Sequence, residues 1–155
     1  MVKYRKHLDG VHRIEVDKDK SNYKWRLDQS ERLIDFPKEF WDEFMGSITQ
    51  NDFITYPYVH QLKEKLAQHH NFNGTDNIFL VPGSDLAIRT MFDVFVTANS
   101  NVITTSPCFP MYEVYSKLYN TSFRQVPYGE DLTWSIDKLI DMLNDETSLV
   151  IIANP

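Results

Sequence analysis

Residues 80–89 read Leu80-Val81-Pro82-Gly83-Ser84-Asp85-Leu86-Ala87-Ile88-Arg89, and this order predicts a strand, a tight turn and a helix. The apolar run 78–81 stops at a Pro-Gly pair, and an apolar pattern of helical spacing begins at Ser84. A glycine at such a turn lets the backbone approach a ligand closely, and the N–H groups of a first helical turn point toward an anion. The stretch therefore predicts an anion-binding turn at the start of a helix.

Downstream of this turn, predicted strands and helices alternate. We predict strands at 78–81, 101–105, 122–126 and 149–153, and helices at 84–98, 111–119 and 135–143. Because strands that alternate with helices over connections this short are typical of parallel pairing, the sequence predicts an α/β fold in three αβα layers around a mostly parallel sheet. Ligands of such sheets bind beyond the carboxyl ends of the strands. The segments that leave the strands there are 82–85, 106–109 and 154–155.

The region before the turn divides into a polar arm and two helical patterns. Residues 1–30 are polar and irregular, and we assign 1–36 to an N-terminal arm or small-domain segment and 37–155 to the main domain. Pro37 marks the start of one apolar stripe of helical spacing, and Tyr56-Pro57 starts a second one.

Composition and charge exclude several classes of protein. The net charge of −6 argues against a general nucleic-acid binder, because neutralising phosphates needs a basic face. No apolar run is long enough to cross a bilayer, and no signal-peptide core follows the basic residues of the start. The single cysteine, Cys108, excludes an internal disulfide, and the histidines lack the spacing of a metal site. We expect a cytoplasmic protein with no metal, nucleic-acid or membrane partner.

Two motifs carry the functional prediction, and each has a plainer alternative. The Gly83-Ser84-Asp85 turn lacks the residues of a P-loop and of a dinucleotide fingerprint, so it suits a single phosphate. Its alternative is an ordinary turn with Ser84 as helix N-cap. Phe109 lies between two prolines directly after a strand, where a flat ring suits stacking on a heteroaromatic cofactor. Its alternative is an ordinary core phenylalanine.

Taken together, the motifs resemble the fold-type I pyridoxal-phosphate enzymes, the class I and II aminotransferases, and most closely their histidinol-phosphate aminotransferase-like branch. The resemblance runs from about Arg26 to the last residue and is carried by the segments 56–57, 81–89, 106–112 and 150–155. It implies that 37–155 is the N-terminal, truncated part of the large domain that binds pyridoxal 5′-phosphate.

The resemblance also implies a role for each matching residue. Gly83, Ser84 and Asp85 match the turn whose backbone N–H groups hold the cofactor phosphate. Phe109 matches the aromatic residue that stacks on the pyridine ring, where the family often has Tyr. Tyr56 matches the tyrosine that reaches the phosphate of the neighbouring subunit, which implies a homodimer.

Other residues of the family's site have no match in these 155 residues. Asn154-Pro155 matches only the first Asn-Pro pair of the family's Asn-Pro-x-Asn-Pro-Thr-Gly segment. The second asparagine, the aspartate beside the pyridine nitrogen, the Schiff-base lysine and the arginine that binds the substrate carboxylate would lie beyond residue 155. We therefore assign no catalytic residue to this chain, and we expect the fragment alone to be inactive.

The function that this resemblance implies is amino-group transfer from an amino acid to a 2-oxo acid, with a histidinol-phosphate-like substrate as one option. Two alternatives stay open at this point. One is a decarboxylase or lyase of the same fold and cofactor, and the other is a non-catalytic α/β module that binds a phosphorylated small molecule.

Overall fold

A computed structural model describes residues 3, 5–13, 19, 23–25 and 27–154 of the chain. The chain divides into two compact units. One unit comprises Met1–Glu15 and Val81–Pro155, and the other comprises Val16–Leu80.

The unit Val16–Leu80 contains three helices and no strand among its described residues. Its helices are α1 (Lys38–Ser47), α2 (Gln50–Ile54) and α3 (His60–His69). Pro37 immediately precedes α1, as its fixed φ favours. The second helical pattern begins at His60 rather than at Tyr56, because a residue before proline is disfavoured in the helical region.

The other unit contains a parallel sheet with the strand order β2–β1–β3. The strands are β1 (Asn101–Ser106), β2 (Ser122–Pro127) and β3 (Thr147–Ile151), and the helices are α4 (Ser84–Phe95), α5 (Met111–Leu118) and α6 (Ile136–Asp141). Both pairings of β1 are parallel, with Val102 opposite Phe123 on one side and Leu149 on the other. The predicted parallel sheet is confirmed.

The core lies on both faces of this sheet. Neighbouring residues of a strand point to opposite faces, and Val102 and Ile103 of β1 are both fully buried. Val102 belongs to a cluster that α4, α5 and β3 complete with Phe92, Val96, Met111, Tyr115 and Leu149. Ile103 belongs to a second cluster, with Val126 of β2 and Leu139 of α6. Helices therefore cover the sheet on both faces, which confirms the three-layer αβα architecture.

The predicted strand at 78–81 is wrong. The structure has no strand there, and no strand within the described residues pairs with this segment. The Ile78 N–H donates to the Thr75 carbonyl, and the Phe79 side chain is 73% exposed. An apolar run becomes a strand only where a neighbouring strand supplies hydrogen-bond partners, and the run itself cannot show that.

The helix predicted at 84–98 is shorter than expected. It ends at Phe95, and Val96 is extended with φ −104° and ψ 128°. Val96 is nevertheless buried in the cluster around Phe92, so it continues the apolar pattern without continuing the helix. None of the helices in the described ranges combines the length and the apolarity needed to cross a bilayer.

Candidate functional site

The first turn of α4 has the backbone geometry of an anion site. Gly83 precedes it with φ 85° and ψ 161°, a conformation that is essentially restricted to glycine. The Ala87 N–H donates to the Gly83 carbonyl over 3.2 Å, so the N–H groups of the preceding helical residues lack an acceptor within the helix. These N–H groups carry the positive end of the helix dipole.

The space beside Gly83 is open. A Cβ atom added to this residue would meet no other heavy atom within 4 Å. Gly83, rather than Ser84, occupies the N-cap position, and no side chain caps the helix. The interpretation of Ser84 as an N-cap is therefore wrong, and the open space with its uncapped N–H groups fits a phosphate.

The Asp85 side chain is engaged on both carboxylate oxygens. The Tyr115 hydroxyl of α5 donates to Asp85 Oδ1 over 3.1 Å, and Arg13 Nη2 lies 3.3 Å from Asp85 Oδ2. Burial, followed by the hydrogen bond to Asp85, raises the pKa of Tyr115 above its ordinary value, so the hydroxyl stays a donor. The backbone N–H of Asp85 belongs to the first turn of α4, while its carboxylate is held by other partners.

Phe109 lies in the segment that connects β1 with α5 and is 43% exposed. Its ring lies nearly perpendicular to the Tyr112 ring, with centroids 5.7 Å apart and planes at 81°. The Tyr112 N–H donates to the Phe109 carbonyl over 3.1 Å. Phe109 belongs to neither core cluster, so it is not an ordinary core residue. The exposed part of its ring is available for contact with a ligand.

The neighbouring Cys108 ties the same segment to β2. Gln125 Nε2 donates to Cys108 Sγ over 3.4 Å. Burial raises the pKa of the Cys108 thiol above its ordinary value. Cys108 therefore stays a neutral thiol near neutral pH and acts here as a hydrogen-bond acceptor.

Tyr56 lies in the helical unit, between α2 and α3, and is 93% exposed. The other predicted site residues, Gly83, Ser84, Asp85 and Phe109, all belong to the unit that contains the sheet.

Asn154 is exposed beyond the carboxyl end of β3. Because β1 and β3 are parallel, their carboxyl ends lie at the same edge of the sheet. Arg26 and Pro155, at the two ends of the resemblance, lie outside the described residues.

Sequence reasoning missed the partners of Asp85. Arg13 lies in the polar arm and Tyr115 in the middle of a helical pattern, and neither belongs to a motif. These residues are far apart in the chain, and only correlated variation between positions could have linked them. A single sequence contains no such signal. Among the described residues, no group of three or more His, Cys, Asp or Glu side chains is placed to hold a metal ion.

Residues 26–155 match the family model of aminotransferase class I and II. Curated relatives include the histidinol-phosphate aminotransferase of Clostridium novyi (strain NT), 32% identical over 136 residues. That of Caldanaerobacter subterraneus subsp. tengcongensis is 27% identical over 155 residues. The two alignments cover 86% and 97% of this chain but 38% and 43% of the relatives. The chain thus spans about two fifths of the length of these relatives.

Solved structures share the fold. An alanine aminotransferase from Pyrococcus furiosus superposes with a TM-score of 0.64 at 14% identity, over 74% of this chain and 31% of that one. A tyrosine aminotransferase from Leishmania infantum gives a TM-score of 0.59 at 16% identity, over 74% and 32% of the two chains. At these identities the likeness shows the fold alone.

Proposed function

The chain belongs to the aminotransferase class I and II family, and we propose that the complete protein containing it transfers an amino group from an amino acid to a 2-oxo acid. Members of this family use pyridoxal phosphate, which we propose as the cofactor. Histidinol-phosphate aminotransferases are among the relatives, and we propose a substrate of that kind, a primary amine that carries a phosphate.

The observation that supports this proposal best is the uncapped first turn of α4 behind Gly83. Open space, a glycine-only backbone conformation and N–H groups without an intrahelical acceptor occur there together. A phosphate monoester satisfies such N–H groups and interacts favourably with the helix dipole.

The chain's own residues would bind and orient the cofactor. The backbone N–H groups of Ser84 and Asp85 would donate to its phosphate, and the exposed face of Phe109 would stack on its pyridine ring. The exposed Tyr56 hydroxyl would donate to the phosphate bound by the partner subunit of a homodimer. When bound, pyridoxal phosphate supplies an electron sink that makes removal of the substrate's α-proton possible.

The proton-transferring lysine is not assigned to these 155 residues. We propose that it lies in a part of the complete protein that corresponds to the uncovered three fifths of the relatives. The isolated 155-residue polypeptide is accordingly expected to have no transaminase activity. We also propose that the protein works in the cytoplasm.

An absorbance titration of the complete protein with pyridoxal phosphate, before and after borohydride reduction, tests the cofactor assignment. We expect a saturable band distinct from that of the free cofactor, and a reduced adduct on a lysine peptide outside residues 1–155. No saturable change would contradict the assignment and favour a module that binds another phosphorylated ligand.

Product analysis of the loaded protein tests the reaction and the substrate. We expect stoichiometric conversion of an added 2-oxo acid into its amino acid, with histidinol phosphate a better donor than histidinol. Release of CO2 or of an amine without amino-acid formation would show a decarboxylase or lyase instead. Equal rates with both donors would contradict a phosphate-bearing substrate.

A further inference from the structure

Residues 7–13 of the N-terminal arm lie along α5 and reach the first turn of α4. His7 Nε2 donates to the Leu118 carbonyl at the C-terminal end of α5 over 3.1 Å. Further along the arm, Gly10–His12 line a cleft of about 160 Å³ together with Pro110 and Val114. Arg13 then reaches the Asp85 carboxylate. The arm thereby brings a guanidinium to the helix end that carries the proposed phosphate site.

Asp85 presents an electrostatic difficulty at that position. A carboxylate in the first turn stabilises the helix when no anion is bound there, since it interacts with the positive end of the helix dipole. When a phosphate dianion binds to the same N–H groups, the carboxylate repels it. Tyr115 provides one hydrogen bond to the carboxylate but no charge, whereas Arg13 provides a full positive charge.

We propose that Arg13 is a positioning residue for the phosphate site: it neutralises the Asp85 carboxylate and directs it away from the anion bound at the first turn of α4. This inference rests on the proposed function. The guanidinium acts through Asp85 and requires no direct contact with the cofactor. The side chains of Arg13 and Asp85 are 67% and 40% exposed, so the effect is modest and depends on ionic strength.

A double-mutant cycle on the complete protein tests the proposal, with the dissociation constant of pyridoxal phosphate measured by absorbance. At low salt we expect Arg13→Gln to weaken binding about two- to fivefold, which is the range of an exposed charge interaction. Arg13→Lys should retain most of the affinity. In an Asp85→Asn background, Arg13→Gln should have a smaller effect, because the carboxylate that it positions has lost its charge and only the long-range attraction between the guanidinium and the phosphate remains.

Two controls separate this role from a structural one. Pyridoxal, which lacks the phosphate, should bind equally well with and without Arg13. Lys38→Gln removes a positive charge from an exposed ion pair with Asp42 within α1 and should leave the affinity for pyridoxal phosphate unchanged.

The outcomes that would overturn the inference differ from those that would overturn the proposed function. Unchanged affinity in Arg13→Gln, or an equal loss with pyridoxal or in the Asp85→Asn background, overturns the role of Arg13 and leaves the function standing. Absence of saturable pyridoxal phosphate binding in the wild-type protein overturns the proposed function itself.

Discussion

At the scale of single residues, Gly83 determines how α4 begins. Its φ of 85° and ψ of 161° lie in a region that side chains with a Cβ do not populate without strain. Because a Cβ there would meet no neighbouring atom, the cost of a side chain is backbone strain rather than a clash. A substitution therefore favours a different backbone conformation at residue 83, and the N–H groups of the first turn of α4 are expected to change direction with it.

Gly83→Ala is expected to lower the free energy of unfolding by about 1–3 kcal/mol, the cost of one residue in such a region. It should also weaken pyridoxal phosphate binding. Urea denaturation and cofactor titration measure the two effects. Gly46→Ala in α1 is the matched control, since a Cβ there also meets open space and its helical backbone favours alanine by about 0.5–1 kcal/mol. Equal stability of the two variants would contradict the strain argument.

At the scale of elements, the short helix α2 depends on its N-terminal cap. The Thr49 N–H and hydroxyl both donate to Asp52 Oδ2, over 2.7 and 2.8 Å. These bonds favour the carboxylate and lower the pKa of Asp52 below its ordinary value of 3.8. A five-residue helix has too few internal hydrogen bonds to be stable without such a cap.

The start of α2 should therefore become less protected in acid. A carboxyl whose pKa is lowered by folding contributes stability that is present above its ordinary pKa and is lost as the pH falls through the lowered one. We expect faster amide exchange in α2, relative to the intrinsic rate, as the pH falls below 3.8. Asp52→Asn should remove this pH dependence. If the protection of α2 amides in the wild type stays constant as the pH falls below 3.8, the role of the Asp52 cap is refuted.

The helix α4 is anchored by one fully buried side chain. Phe92 is 0% exposed, and its ring lies 5.7 Å from that of Tyr115 and 5.6 Å from that of Tyr119. Tyr119 in turn donates a hydrogen bond from its hydroxyl to Asp93 of α4. Phe92 thus joins α4 to α5, which carries the Tyr115 partner of Asp85.

Phe92→Ala is expected to destabilise the protein by about 3–5 kcal/mol, because a large buried ring leaves a cavity. Phe95→Ala is the matched control, since this side chain lies in the same helix but is 59% exposed, and it should cost well under half as much. Denaturant unfolding of both variants measures the difference. Similar losses would show that Phe92 does not anchor α4 in the way that its burial indicates.

At the scale of the whole molecule, large apolar side chains lie exposed in both units. Phe40, Trp41, Phe44 and Met45 of α1 are each about half exposed, and so are Phe95 and Ile140 in the unit that contains the sheet. Surfaces of this kind are typical of interfaces. They agree with the proposal that the complete protein is longer than these residues and forms a dimer.

Tyr56 offers a test of that assembly. If its hydroxyl reaches the phosphate of the partner subunit, Tyr56→Phe should weaken cofactor binding by about 1.5–3 kcal/mol, the range of a hydrogen bond to a charged group. Tyr58→Phe is the matched control, because Tyr58 is 91% exposed and Tyr56 93%. Titration of each dimeric variant with pyridoxal phosphate measures the loss. An unchanged affinity in Tyr56→Phe would remove this residue from the site.

Much of the fold could be predicted from the sequence, because it follows from local patterns. Helices α1, α4 and α6 begin directly after Pro37, Gly83 and Ser135, and these starts depend on turn and capping chemistry within a few residues. The strands β1, β2 and β3 follow from apolar runs, and short helical connections favour their parallel pairing. The turn at Gly83 could likewise be predicted, because it is defined by its own neighbours in the chain.

By itself, the sequence determined the order of helices and strands from Ser84 onward, the parallel sheet and the residues that could form a phosphate site. Only the tertiary structure decided that 78–81 is not a strand, that Phe109 stays out of the core, and that Arg13 and Tyr115 hold Asp85. The reason is physical. Backbone turns and apolar periods depend on interactions between residues close in the chain, whereas strand pairing, burial and ion pairs depend on residues that only folding brings together.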